Sequence, residues 1–186
     1  WNDFLVKGYL VEFNKETAYA DWADVTSENL CIVEDGEGTL VFNNQKYAVS
    51  KGFVFKIFPT QNPIIQPKEK LVILSVQLPH ASTKKATQGG ENLSRLKVVN
   101  PQEVKELVYE YEALGRELIT CNYENGLGII KLTFSIDKIP LHRHPTSGRL
   151  IRTISGQGYT YVHPELYELD KDSFSLFPKN VVHTNG

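Results

Sequence analysis

Three histidines form the pattern in this sequence that could do metal chemistry. His142 and His144 stand two positions apart in Pro140-Leu141-His142-Arg143-His144, and His183 closes a second stretch, Pro178-Lys179-Asn180-Val181-Val182-His183. Side chains alternate between the two faces of a β-strand, so a His-x-His pair sets both imidazoles on one face. Such a pair is common by accident. Joined by a third His after a Pro-containing turn, it can face a transition metal and leave coordination positions open for water or substrate.

The elements that must position these residues read as short strands. Tyr9–Phe13, Asn29–Val33, Thr39–Phe42, Phe53–Phe58 and Leu71–Val76 are β-branched or aromatic runs, separated by Asp35-Gly36-Glu37-Gly38, Asn43-Asn44 and Lys51-Gly52. Polar residues 82–92 read as a linker. After it, Asn100 as N-cap, Pro101 and Glu103 open a helix with Val104, Leu107, Val108, Tyr111 and Leu114 on one stripe, ended by Gly115. From Glu117 onward the strand pattern resumes. Many short strands with regular turn signals predict an all-β sandwich or barrel.

The two halves repeat. A shift of 120 positions carries Gly36-Glu37-Gly38 onto Gly156-Gln157-Gly158, Tyr47 onto Tyr167 and Gly52 onto Asp172, and with one residue of slippage Phe58-Pro59 onto Phe177-Pro178. Both Gly-x-Gly stretches lack the following helix of a phosphate cradle and read as hairpin turns.

Together the His-x-His pair, the Leu150–Ile154 run, the Gly156-Gln157-Gly158 turn, the Tyr-Thr-Tyr-Val strand and the Pro-to-His spacing resemble the cupin family, and the repeat a bicupin. The resemblance implies an all-β chain of two double-stranded β-helix (jelly-roll) barrels joined by a linker with one helix: 1–81, 82–116 and 117–186. It implies a divalent transition metal (Zn, Fe, Ni, Mn or Cu) on His142, His144 and His183. Arg149 stands where the family's Glu ligand falls, and Ile136 where its first motif opens with Gly. A guanidinium cannot ligate a cation, so Arg149 either points away or serves an anionic ligand such as a carboxylate or phosphate. Tyr159 and Tyr161 share one strand face; facing inward they are substrate-binding donors, facing outward they pack a sheet. The implied reactions are those of a dioxygenase, isomerase or decarboxylase; the alternative is a non-catalytic module that binds or senses a small, sugar-like molecule.

Projected into the first half, the motif falls on Trp22, Asp24, Asn29 and Ile64, of which only Asp24 is a credible ligand. That half reads as scaffold or dimerisation surface, or else as an aromatic-lined pocket. His80 and His163 read as solvated or turn residues.

Composition bounds the rest. Hydrophobic residues make up 41% and charged residues 23%, and the net charge is −2, which offers no bulk attraction to nucleic acid or membrane. No apolar stretch is long enough to span a bilayer, no signal peptide is visible, and Cys31 and Cys121 read as reduced core thiols, so a cytoplasmic protein is expected. A small-molecule ligand and a homodimer are the expected partners. The sequence holds no Met, which suggests a trimmed chain, and a barrel ending three residues after its last His would leave an open or otherwise covered edge.

Overall fold

β-Branched and aromatic residues dominate, and β-structure follows: the computed structural model describes residues 6–15, 18–79, 83–108, 113–123, 126–134 and 139–186, with one short helix among them. The chain divides into two compact units. One comprises Leu5–Glu106 and Arg116–Lys131, the other Leu107–Gly115 and Leu132–Gly186. Among the described residues no helix is long and apolar enough to cross a membrane.

In the N-terminal unit, β1 (Lys7–Asn14), β2 (Ser27–Phe42), β3 (Gln45–Ser50), β4 (Val54–Ile57), β5 (Ile64–Pro79) and β6 (Lys97–Val99) form one sheet. Its order is β1-β5-β2-β4-β6, with β3 also paired to β2. Period-2 alternation sends Cys31 and Val33, Phe55 and Ile57, and Leu71 and Ile73 into a core with Phe13, Leu40 and Ile65. Each such side chain, fully buried, contributes about 1.5–3 kcal/mol. Cys31 and Cys121 are both free, and burial pushes the Cys31 thiol up to about 12.

The opposite face of β2 and β4 is covered too. Leu30 and Val54 pack there against Leu118 and Ile119 of β8 (Leu114–Ile119), with Ile129 of β9 (Ile129–Thr133) against the same cluster. On this face lies a buried ion pair, Lys56 Nζ to Glu28 Oε1 at 2.7 Å, with both side chains shielded from solvent. Each partner takes one of the two backbone polar groups of a single residue, Leu127. The Leu127 N–H donates to Glu28 at 2.6 Å, and Lys56 donates to the Leu127 carbonyl at 2.8 Å. The Tyr123 hydroxyl donates to the second Glu28 oxygen, and the ammonium lies 4.9 Å from the ring centres of both Phe58 and Tyr123.

Two expectations are corrected here. Gly36 and Gly38 do not turn the chain. β2 runs through them as a 16-residue strand, and the register shifts between Val33 and Asp35 and between Gly36 and Gly38 are bulges. Gly36 has φ of +80°, and a Cβ there would lie 1.9 Å from the Lys70 carbonyl oxygen, so only glycine lets β5 approach.

Among the described residues the helix expected from Pro101 does not form either. Asn100 does cap, accepting from Gln102 N–H at 3.1 Å and donating to Glu103 at 3.0 Å, but the turn stops at once. β7 (Leu107–Val108) then pairs antiparallel with β8. Tertiary pairing outweighs the modest propensity of a single short helix. Tyr111 lies outside the described residues, as does His80. The helix that does form is α1 (Thr83–Gln88), inside the expected linker.

The C-terminal unit contains β10 (Arg149–Arg152), β11 (Gly158–Val162), β12 (Glu165–Leu169), β13 (Phe174–Phe177) and β14 (Thr184–Asn185). β10 pairs β13, and β11 pairs both β12 and β14. Their registers coincide with those of the N-terminal unit at the 120-residue shift. Arg149 opposite Phe177 repeats Asn29 opposite Ile57, and Gly158 opposite Leu169 repeats Gly38 opposite Val49. Thr160 opposite Asn185 repeats Leu40 opposite Ile65. Single bonds recur as well: Gly52 N–H to Val33 carbonyl matches Asp172 N–H to Thr153 carbonyl.

Removing one partner of the buried pair strands a charge without solvent. Lys56→Met is expected to cost about 3–5 kcal/mol in urea unfolding, and the double variant Glu28→Gln, Lys56→Met clearly less. Equal losses in the single and double variants would show that the pair does not act as a unit.

Candidate metal centre

Backbone bonds bring the three histidines together. His142 N–H donates to the His183 carbonyl at 3.0 Å and His183 N–H to the His142 carbonyl at 2.9 Å, an isolated antiparallel bridge. The Asn180 N–H holds the His144 carbonyl at 3.0 Å. The His-x-His segment is therefore an extended bridging segment rather than a regular strand, because Pro140 and Pro145 supply no N–H to a ladder.

The rings converge. Centroids lie 5.0 Å apart for His142 and His144, 4.4 Å for His142 and His183, and 5.3 Å for His144 and His183. One nitrogen from each falls within 4.8 Å of the others. His142 and His144 are half-buried and His183 is buried. Phe177 stacks on His183 at 3.9 Å and 12°, fixing its plane.

The tautomers follow from the partners. His142 Nδ1 lies 2.9 Å from the Pro140 carbonyl and His183 Nδ1 3.0 Å from the Val181 carbonyl. A carbonyl only accepts, so each Nδ1 carries the proton and each Nε2 presents a lone pair. That of His183 is buried and has no hydrogen-bond partner. Burial, then the Arg149 charge and the other two rings, lower His144 to about 4. His183 is lowered chiefly by burial, against the opposing bond to Val181, with His142 and Arg149 adding to the depression. Depressed pKa values keep these two rings neutral at pH 7, the state in which imidazole binds a cation.

The donor set fits a divalent transition metal. Nitrogens bound at about 2.1 Å sit roughly 3–3.4 Å from one another, so ring movements of about 1 Å close the present spacing. No Asp or Glu joins the group among the described residues.

Arg149 faces this cluster. Residues opposed across an antiparallel pair share a face, and Arg149 opposes Phe177, whose ring lies on His183. Its guanidinium donates to Ser147 Oγ at 2.6 Å and the Gly148 carbonyl at 3.3 Å.

Tyr159 and Tyr161, expected either as inward substrate-binding donors or as outward sheet packing, do not share the strand face of the histidine cluster. The β11–β14 register puts Thr160 and Asn185 on one face, bonded at 2.7 Å, and alternation places His183 with them. The two tyrosines occupy the other face, and the Tyr161 hydroxyl meets His163 Nδ1 at 2.9 Å. Sequence reading passed over Phe177 and Ser147 as site residues; the repeated Phe-Pro pair was the available signal for the first, and nothing marked the second.

The N-terminal counterpart is wired differently. Trp22, at the His142 position, donates its indole N–H to the Pro63 carbonyl at 2.8 Å and stacks edge-on to Phe13 and Phe55. By register Pro63, not Ile64, is the equivalent of His183. The Asp24 carboxylate accepts from Thr26 and Ser27. Asn29 is buried and donates to the Asp24 and Ser27 carbonyls at 3.2 and 3.1 Å.

Comparison with known proteins places the fold. No family model matches the sequence, and no curated protein matches it. Solved structures do match. A Pseudomonas aeruginosa protein assigned as glyoxylate induced aligns over 97% of this chain and 68% of its own, with TM-score 0.78 and 15% identity. A cupin 2 conserved barrel domain protein from Leptotrichia buccalis aligns over 97% and 82%, with TM-score 0.62 and 18% identity. The Momordica charantia 7S globulin aligns over 97% and 68%, with TM-score 0.63 and 9% identity. At these identities the likeness is one of fold: the chain has the cupin fold.

Phe177 sets the plane of the most buried ring. Phe177→Leu keeps an apolar side chain but loses the stack; if the cluster holds a metal, its affinity measured by titration calorimetry is expected to fall about tenfold, as when other supporting groups of metal sites are lost.

Proposed function

We propose that the chain is a bicupin, one barrel to each compact unit, whose C-terminal barrel holds a divalent transition metal through His142, His144 and His183. The carrying observation is the buried, partnerless Nε2 of His183 on a ring that clusters with two other imidazoles. A buried nitrogen lone pair left unpaired costs about 1–3 kcal/mol, and a metal ion removes that cost. The matched strand registers of the two units support the bicupin reading.

The ligand in this reading is a small acidic or hydroxylated organic molecule, with Arg149 orienting its acidic end. A metal held there supplies Lewis acidity toward a ligand oxygen. The chain's own groups do the rest: Phe177 and burial exclude water from one side of His183, and the Nδ1 bonds to Pro140 and Val181 hold the ring orientations. Dioxygenase, isomerase and decarboxylase chemistries suit such a site, by analogy of fold. The proposed partners are this small molecule and a second copy of the chain, in the cytoplasm, rather than nucleic acid or membrane.

A second reading is a non-catalytic binding module for a sugar-like molecule. A cleft of about 390 Å³ in the N-terminal unit, lined by Tyr9 and Trp22 together with Asp21, Ser75 and Gln77, favours it. Aromatic faces beside carboxylate and amide groups are the usual furnishing of a sugar site.

Elemental analysis of purified protein tests the first reading. About one transition metal per chain is expected, lost in both His142→Ala and His183→Ala with the fold retained by circular dichroism. Substoichiometric metal that neither substitution changes removes the metal reading and leaves the binding module.

A further inference from the structure

The charge around the histidine cluster is unbalanced. Three neutral imidazoles, a divalent cation and the Arg149 guanidinium sum to a triple positive charge, and among the described residues no Asp or Glu belongs to the group. Among the described residues Arg149 answers no carboxylate there: its guanidinium donates to Ser147 Oγ and the Gly148 carbonyl. The position lies on the same strand face in both units, exposed at Arg149 and buried at its counterpart. Asn29, its counterpart by register, is buried and reaches the carbonyl of Asp24, the counterpart of His144. In the C-terminal unit the same ladder position opposes Phe177 against His183.

We propose that Arg149 couples metal and anion binding: the cation is held tightly only together with a small carboxylate or other oxoanion that bridges it to the guanidinium. This rests on the three-histidine metal reading and adds a regulation to it. One anion oxygen takes an open position on the metal, while the rest of the group meets the planar donor fork of Arg149. The anion offsets the repulsion between two positive centres in a partly desolvated site, so each ligand raises the affinity of the other by one common factor. Ligand-free protein then has weak metal affinity, and the anion gates loading.

Co2+ binding to the full chain tests this by titration calorimetry and by the visible Co2+ absorption bands, in chloride-free buffer with and without acetate or sulfate. Acetate or sulfate is expected to tighten Co2+ binding by about 10–100-fold and to shift the bands. Tightening by acetate alone assigns a carboxylate, and tightening by both assigns oxoanions generally. Arg149→Glu, which supplies its own negative donor, should bind Co2+ tightly without anion and lose the response. Arg149→Gln should lose most of the response while keeping measurable Co2+ binding. If native Co2+ affinity and bands are the same with and without either anion, the coupling is overturned while the metal site stands. If no Co2+ binds under any condition, the metal reading itself fails.

Discussion

The reciprocal backbone bridge between His142 and His183 is the constraint on which the site depends. The two residues are far apart in sequence, and two N–H···O=C bonds near 3 Å lock them face to face. Cβ atoms opposed in this way lie about 4.5–5.5 Å apart, which sets the imidazoles side by side whatever their chemistry. Each ring then repeats the same local contact, Nδ1 to the carbonyl two residues back, which leaves Nε2 as the lone-pair nitrogen in both. Asn180, in a left-handed conformation at φ of 66°, turns the chain after Pro178 so that its N–H fixes the His144 carbonyl. The cluster is thus a product of backbone geometry, and the side chains only decide what that geometry does.

The N-terminal unit shows what the same backbone does with other side chains. Where the C-terminal unit places His142 against His183, this one places Trp22 against the Pro63 carbonyl, and an indole N–H satisfies an acceptor directly. The indole nitrogen only donates and so leaves no acceptor of its own to satisfy, and the ring joins an aromatic group with Phe13 and Phe55. Its most demanding polar feature lies elsewhere, in Glu28 and Lys56. A buried ion pair gains little over apolar packing, but here both members also bind the backbone of one residue, Leu127, and so specify which segment covers that face.

Parts of this were legible in the sequence because they are local or periodic. The His-x-His alternation, the strand runs and the 120-residue repeat need only spacing, and the described structure places the three histidines together and the strands in matching register. The parts that were not legible depend on one-residue counts or on tertiary competition. Gly36 looks like a turn because turns and bulges both want positive φ; the near contact with Lys70 that makes it a bulge comes from β5, far along the chain. The same kind of single-residue offset selected Ile64 rather than Pro63 as the partner of Trp22. Asn100 signals a helix start correctly at the level of one turn, yet a cap cannot say whether Leu107 and Val108 will find a strand partner. The faces of Tyr159 and Tyr161 were ambiguous because both faces of β11 carry side chains of similar polarity; only the Thr160–Asn185 bond decides.

Arg149 carries the argument about chemistry furthest. In an anionic version of this position, a carboxylate would neutralise half the charge of a divalent cation and stay as a permanent ligand. A guanidinium reverses that sign, lowers the basicity of His144 and His183 through its field, and leaves the negative charge to be brought by whatever binds. With Ser147 and the Gly148 carbonyl holding one edge of the guanidinium, the side chain is oriented before any ligand arrives, which reduces the ordering cost of binding. In the proposed metal reading, selectivity for an acidic molecule would follow from electrostatics: a neutral molecule reaching the same histidines would leave the repulsion between guanidinium and metal uncompensated.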